Sequence, residues 1–267
     1  MHDLALLGDL SPWLLLFLCT AALVAGWVDA VVGGGGLVQL PALLTGMPAD
    51  TATGAVLGTN KVASAAGTSI SALTFVRRVR PVLATVLPLV LTAAAGSAIG
   101  AGLAGLIPRA GMAPIVLVAL VVVGVHTLRR PVMGLEHAPR WSGRAHTLRT
   151  GAIGLGVGIY DGVLGPGTGS FFIILMVAVL GYGFLEASVH AKLANLTTNL
   201  GALLVFGLQG HVWWALGALM ALANVVGGYA GARLAIRFGS GFVRIVFLVV
   251  LGALILRLAW DSLQLLW

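Results

Sequence analysis

Apolar residues run through this chain in blocks rather than in alternation. Eight segments, at 11–32, 50–76, 81–107, 111–128, 150–164, 185–208, 212–236 and 241–260, are predominantly apolar. Most approach or exceed the ~20 residues that a helix needs to cross a bilayer, and none alternates like a barrel strand. The pattern predicts an all-α integral membrane protein of about eight transmembrane helices. Two shorter apolar pieces, 37–46 and 170–181, each follow a glycine-rich break. Each is too short to span alone and suits a broken or re-entrant helix.

The only long polar stretch is 129–149, "RRPVMGLEHAPRWSGRAHTLR", and it separates two similar halves. Asp29 matches Asp161, Gly33 matches Gly165 and Gly35 matches Gly167 at an offset of 132. Lys61 matches Lys192, Gly96 matches Gly227 and Gly100 matches Gly231 at an offset of 131. A near-constant offset predicts an internal duplication, with a first transmembrane repeat at 11–130, a polar central loop at 131–148 and a second repeat at 149–260. Duplicated halves that meet at a midplane site are a common transporter plan.

Composition closes off the soluble classes. Hydrophobic residues make up 59% of the chain and charged residues 9%, with a mean hydropathy of +1.06. A soluble domain carries about 25% charged residues. The formal charge of +7 does not imply a nucleic-acid partner. Most of the arginines lie between apolar segments, as in loops that face anionic lipid. The opening "MHDLALLGDL" has no basic n-region and does not read as a cleaved signal peptide. Cys19, the lone cysteine, reads as a small core residue. No nucleophile–base set and no HExxH pair points to an enzyme, and nothing calls for a metal or a cofactor. The expected location is the cell membrane, as a multi-pass protein.

The breaks carry the first candidate chemistry. "DAVVGGGGLVQLPALL" (29–44) and "DGVLGPGTGSFFII" (161–174) both interrupt an apolar helix with glycine and restart a short one. Broken helix at membrane depth is tolerated only where it is buried in protein or lines a wet cavity. Each restart presents free backbone N–H groups and a helix N-terminus, which favour an anion. Gly33, Gly34, Gly35 and Gly36, and Gly165, Gly167, Thr168 and Gly169, are therefore candidate substrate-binding positions. No Lys-Ser/Thr pair follows, so this is not a P-loop. For "GSAIG" (96–100) and "GGYAG" (227–231), close helix packing is the preferred reading.

The chain has two lysines, Lys61 and Lys192, both inside apolar segments at matching positions. Ser64, Thr68 and Ser71 follow Lys61, and Asn195 and Asn199 follow Lys192, at helical spacing. Each half thus presents a polar stripe headed by a cation, with Asn60 beside the first. A structural alternative is a lysine–aspartate pair such as Lys61 with Asp29. Asp29, Asp161, Glu186 and His190 are the proton-coupling candidates, because intramembrane carboxylates are functional hypotheses by default. His137 and His146 read as solvated residues of the central loop.

These pieces together resemble the TauE/SafE family of sulfite exporters, the TSUP transporters. The resemblance rests on "DAVVGGGGLVQLPALL" and "GAVLGTNKVAS" (54–64), then "YDGVLGPGTGSFFI" (160–173) and "AKLANLTTNLGALLVF" (191–206). It runs from about 20 to 258. It implies a duplicated multi-span bundle that moves sulfur-containing anions or organic acids. The expected function is secondary transport of a small anion, driven by protons or by the anion's own gradient. The runner-up is a non-transporting scaffold or assembly subunit.

Arginine counts bear on topology. Plain alternation over eight spans puts Arg77, Arg78, Arg80, Arg129, Arg130, Arg140, Arg144 and Arg149 on one side, against Arg109, Arg237 and Arg244. If each half crosses an odd number of times, the halves are inverted and Arg237 and Arg244 join the larger set. Both termini then lie outside. The positive-inside rule prefers the inverted arrangement, which requires the short helices to be re-entrant.

Overall fold

The computed structural model describes residues 10–48, 50–104, 134 and 136–264. Among these residues the order is α1 (Pro12–Val32), α2 (Gly36–Gly46), α3 (Thr53–Val76), α4 (Leu83–Leu103), α5 (Gly143–Val163), α6 (Thr168–Leu175), α7 (Phe184–Leu208) and α8 (Trp214–Gln264). A π turn, Met176–Leu180, prolongs α6, and α8 breaks at Gly239 (φ 73°, ψ −167°). Of the described helices, α1, α4 and α7 are long and apolar enough to cross a membrane. The expected segment 111–128, with Arg109, Arg129 and Arg130, lies outside the described residues.

Both short helices fold back on the helix before them. Ser11 caps α1, its hydroxyl accepting from Leu14 N at 3.3 Å, and Pro12 fits the first turn. The helix ends at Gly33, whose left-handed φ of 79° turns the chain. The start of α2 then sits against the end of α1. A Cβ at Gly35 would stand 2.7 Å from the Asp29 side chain. The end of α2 returns toward the beginning of α1, where a Cβ at Gly46 would stand 3.0 Å from Leu18 and 3.2 Å from Leu14. In the second half Phe171 of α6 meets Tyr160 of α5 edge to face, with centroids 4.9 Å apart. Tyr182, past the π turn, is back beside His146 near the start of α5. Each pair is a helical hairpin that enters and leaves by one end of the bundle.

The long helices α3 and α7 run antiparallel. The backbone N–H of Trp213, just past α7, donates to Thr59 Oγ1 near the start of α3 at 3.0 Å. At the other end Val82 N, beyond α3, donates to His190 Nε2 near the start of α7 at 3.0 Å. Glycine seams join the halves on either flank. A Cβ at Gly96 of α4 would stand 2.5 Å from the Leu155 carbonyl oxygen of α5. One at Gly231 of α8 would stand 2.6 Å from the Trp27 carbonyl oxygen of α1. The packing reading of both glycine motifs holds, since only hydrogen fits between such backbones.

Two expectations about the central stretch fail. The polar stretch does not continue to 148 as loop, because α5 begins at Gly143. Nor is His146 solvated: it is buried, and its Nε2 is 2.8 Å from Thr85 Oγ1. His146 and Thr150 face protein while Arg144 and Thr147 stay exposed, the pattern of one buried helix face. Arginine gathers at one end of the described bundle. Arg77, Arg78 and Arg80 lie between α3 and α4, Arg140 and Arg144 enter α5, and Arg237 precedes the break in α8. Among the described residues, the connections at the opposite end, 50–52 and 209–213, carry no arginine or lysine.

Candidate functional site

The two glycine breaks touch in the middle of the bundle. Gly33 and Gly167 both take φ of 79°, the left-handed region in which an L side chain is strained. Ser170 N donates to the Gly33 carbonyl at 3.1 Å, and Ser170 Oγ to the Val32 carbonyl at 2.7 Å. A Cβ on Gly169 would stand 2.5 Å from the Gly33 Cα. The backbone N–H groups of Gly34, Gly35 and Gly36 donate to no acceptor among the described residues. In a low-dielectric interior such amides carry a cost of a few kcal/mol each, roughly, until something accepts from them.

Charge crosses between the halves at this level. Lys61 of α3 donates to Asp161 Oδ2 at 2.6 Å, and the side chains are 3% and 1% exposed. Lys192 of α7 lies 3.7 Å from Asp29 Oδ2 and also donates to the Asp29 carbonyl. Each half's lysine therefore pairs with the other half's aspartate, not Lys61 with Asp29. The carboxylates are held further. Thr168 Oγ1 donates to Asp161 Oδ1 at 2.6 Å and Ser97 Oγ to Oδ2 at 3.4 Å. Asn195 Nδ2 and Thr68 Oγ1 each donate to Asp29 at 3.3 Å. The polar stripes face each other, and Asn199 Nδ2 donates to Thr68 Oγ1 at 3.5 Å.

A small cavity of about 20 Å³ lies between the breaks. It is lined by Asp29, Gly33, Gly36, Asn60, Lys61, Ser64, Asp161, Gly165, Gly167, Thr168, Gly169, Asn195 and Asn199. The chemistry of the sequence singles out every one of these residues. Gly34, Gly35 and Lys192 are not part of this lining. Asn60 is buried and its Oδ1 has no hydrogen-bond partner. An unsatisfied polar atom at such a wall is a place for a ligand or a water.

Glu186 and His190 are not brought to the cavity. They sit at the arginine-rich end, where His190 Nδ1 is 2.7 Å from the Glu186 carbonyl oxygen and the His190 ring stacks on Tyr182 at 5.2 Å. Sequence reading also missed a buried amide chain that backs the site. Asn224 Nδ2 donates to Gln39 Oε1 at 2.6 Å, and Gln39 Nε2 donates to the Asn60 carbonyl at 3.2 Å. Two isolated amides in apolar runs were the available signal, since lipid offers them no partner.

Comparison with known proteins finds relatives over nearly the whole chain. The model of one protein family, described as "Sulfite exporter TauE/SafE", matches residues 18–258. A "Probable membrane transporter protein ORF9" from Sinorhizobium sp is 36% identical over 95% of this chain and 95% of its own. The "Probable membrane transporter protein YfcA" of Escherichia coli strain K12 is 34% identical over 94% of this chain and 92% of its own. A "Probable membrane transporter protein" of Haemophilus influenzae is 31% identical over 95% of this chain and 98% of its own. No solved structure matches the chain.

Proposed function

This chain belongs to the TauE/SafE sulfite exporter family and is a membrane transporter, and from that premise we propose that it carries a small anion through the cavity between its glycine breaks. The anion is a sulfur-containing oxyanion or an organic acid. The observation that carries this reading is the crossed ion pairs, the buried Lys61–Asp161 and the partly buried Lys192–Asp29, beside the free amide of Gly36 in the cavity wall. Cations and N–H donors complement an anion, and nothing else in the cavity does so with comparable charge.

The aspartates supply a route to coupling. At about 20 Å³ the cavity is on the scale of one water, so a polyatomic anion enters only when an ion pair parts. A proton delivered to Asp161 neutralises the carboxylate and frees the Lys61 ammonium for the anion. Proton and anion then travel together, and loss of both restores the pair. Inverted repeats provide the motion. The antiparallel run of α3 and α7 and the two re-entrant hairpins support a duplication of opposite orientation, in which one half rocks against the other about the shared site.

Proteoliposomes test this. Purified protein should move at least one of sulfite, sulfate, thiosulfate, a sulfonate or a small carboxylate. An imposed pH gradient should drive that flux in the wild type and not in Asp161→Asn. Absence of flux for every anion would return the scaffold reading.

A further inference from the structure

A second basic site lies far from the cavity, where α3 ends and α8 nears its break. A depression of about 490 Å³ there is lined by Arg77, Arg78, Arg233 and Arg237, with Thr74 and Tyr229 among its other walls. No carboxylate among the described residues forms an ion pair with any of these guanidinium groups. Arg233 and Arg237 are one helical turn apart, so their like charges repel. Their planes are nonetheless held in place. Arg233 lies over the Tyr229 ring at 4.8 Å and Arg237 over Phe238 at 5.4 Å. Four unneutralised forks in one hollow match phosphate oxygens, which they can engage in bidentate fashion.

The setting says where the phosphate comes from. Arg77 is ~19 Å along α3 from the helix midpoint at 1.5 Å per residue. The hydrocarbon half-thickness is about 15 Å and the headgroups extend to roughly 20–22 Å. With α3 upright and centred in a bilayer, the guanidinium groups would be level with headgroups. Exposed apolar side chains flank them, Leu73 at 46% and Phe238 at 54% exposure, as acyl chains require. In the other half the positions matching Arg77 and Arg78 are Leu208 and Gln209, so the groove belongs to one end of the molecule only.

We infer that this groove binds a phosphate-bearing anion, and that its setting favours the phosphodiester of an anionic phospholipid headgroup over free phosphate. The site is independent of the transport cavity. It is tested with the full chain in nanodiscs of phosphatidylcholine, with or without phosphatidylglycerol, by native mass spectrometry of retained lipid and by melting temperature. Inorganic phosphate titrated into the phosphatidylcholine discs is the second arm. Wild type should retain phosphatidylglycerol, and Arg78→Gln/Arg233→Gln should lose that preference by on the order of tenfold while melting normally in phosphatidylcholine. Stabilisation by inorganic phosphate alone, abolished in the variant, assigns the groove to free phosphate and overturns the lipid source. Wild type that prefers neither ligand, or a variant that binds as wild type does, overturns the site itself. If that variant does not fold, Arg77→Gln/Arg237→Gln makes the same comparison.

Discussion

Lys61 and Asp161 show how a single pair couples stability to the proposed transport. Both side chains are nearly inaccessible and 2.6 Å apart. Removing one partner from a buried pair leaves an uncompensated charge and costs about 3–5 kcal/mol. Lys61→Met should therefore lower the melting temperature clearly in detergent. The double variant Lys61→Met/Asp161→Leu removes both charges and should recover much of that stability, yet carry no anion. A double variant that transports normally would show the pair to be structural alone. Gly33 makes a second residue-scale case. Its φ of 79° and its contact with Gly169 leave no space for a Cβ. Gly33→Ala should cost at least 1–2 kcal/mol, roughly, from the backbone term, with the steric clash added. Thermal unfolding of the purified variant measures it, and an unchanged midpoint would contradict the packing of the two breaks.

At the scale of elements, the folding back of α2 on α1 and of α6 on α5 decides whether the proposed inverted arrangement holds. The α1–α2 hairpin begins and ends at the end of the bundle where 209–213 lie, and α3 runs to the other end. In a Cys19→Ser background, single cysteines at Ser11, Pro48 and Gln209 should react with an impermeant thiol reagent from one side of the membrane. Cysteines at Arg80 and Arg140 should react only from the opposite side. Labelling of Ser11→Cys and Pro48→Cys from different sides would mean that α1 and α2 together cross the bilayer. The glycine seams belong to the same scale. Gly96→Leu forces α4 from α5 by filling a space 2.5 Å from a carbonyl oxygen, and should cost several kcal/mol as overpacking, on the order of 1–3 at least.

For the whole molecule, the distribution of arginine among the described residues bears on the proposed inverted arrangement. The arginines of the α3–α4, central and Gly239 regions share one end, which the positive-inside rule assigns to the cytoplasm. The beginning of α1 then lies outside. Reporters fused to each terminus should both report an external location. Two cytoplasmic termini would reject the inverted arrangement and restore two parallel repeats. This outcome bears on mechanism, because halves of opposite orientation can exchange shapes across a shared site and so open it to each side in turn.

Much of this was legible in the residues themselves. Apolar blocks of spanning length dictate a helical membrane protein, because lipid cannot satisfy an open backbone. The glycine breaks, the two lysines and the matched aspartates could be found by their chemistry alone, since each is costly in hydrocarbon unless a partner meets it. Partnership was not legible. That Lys61 meets Asp161 and Lys192 meets Asp29 depends on the two halves crossing, over a separation of 100 residues in the first case. The same holds for the Asn224–Gln39–Asn60 chain, and for His146, which looks like a loop residue until Thr85 and Tyr182 pack around it. Local sequence determines which groups must be satisfied. Only tertiary structure decides which distant groups satisfy them, because helix direction and packing, not spacing along the chain, set the distances between side chains.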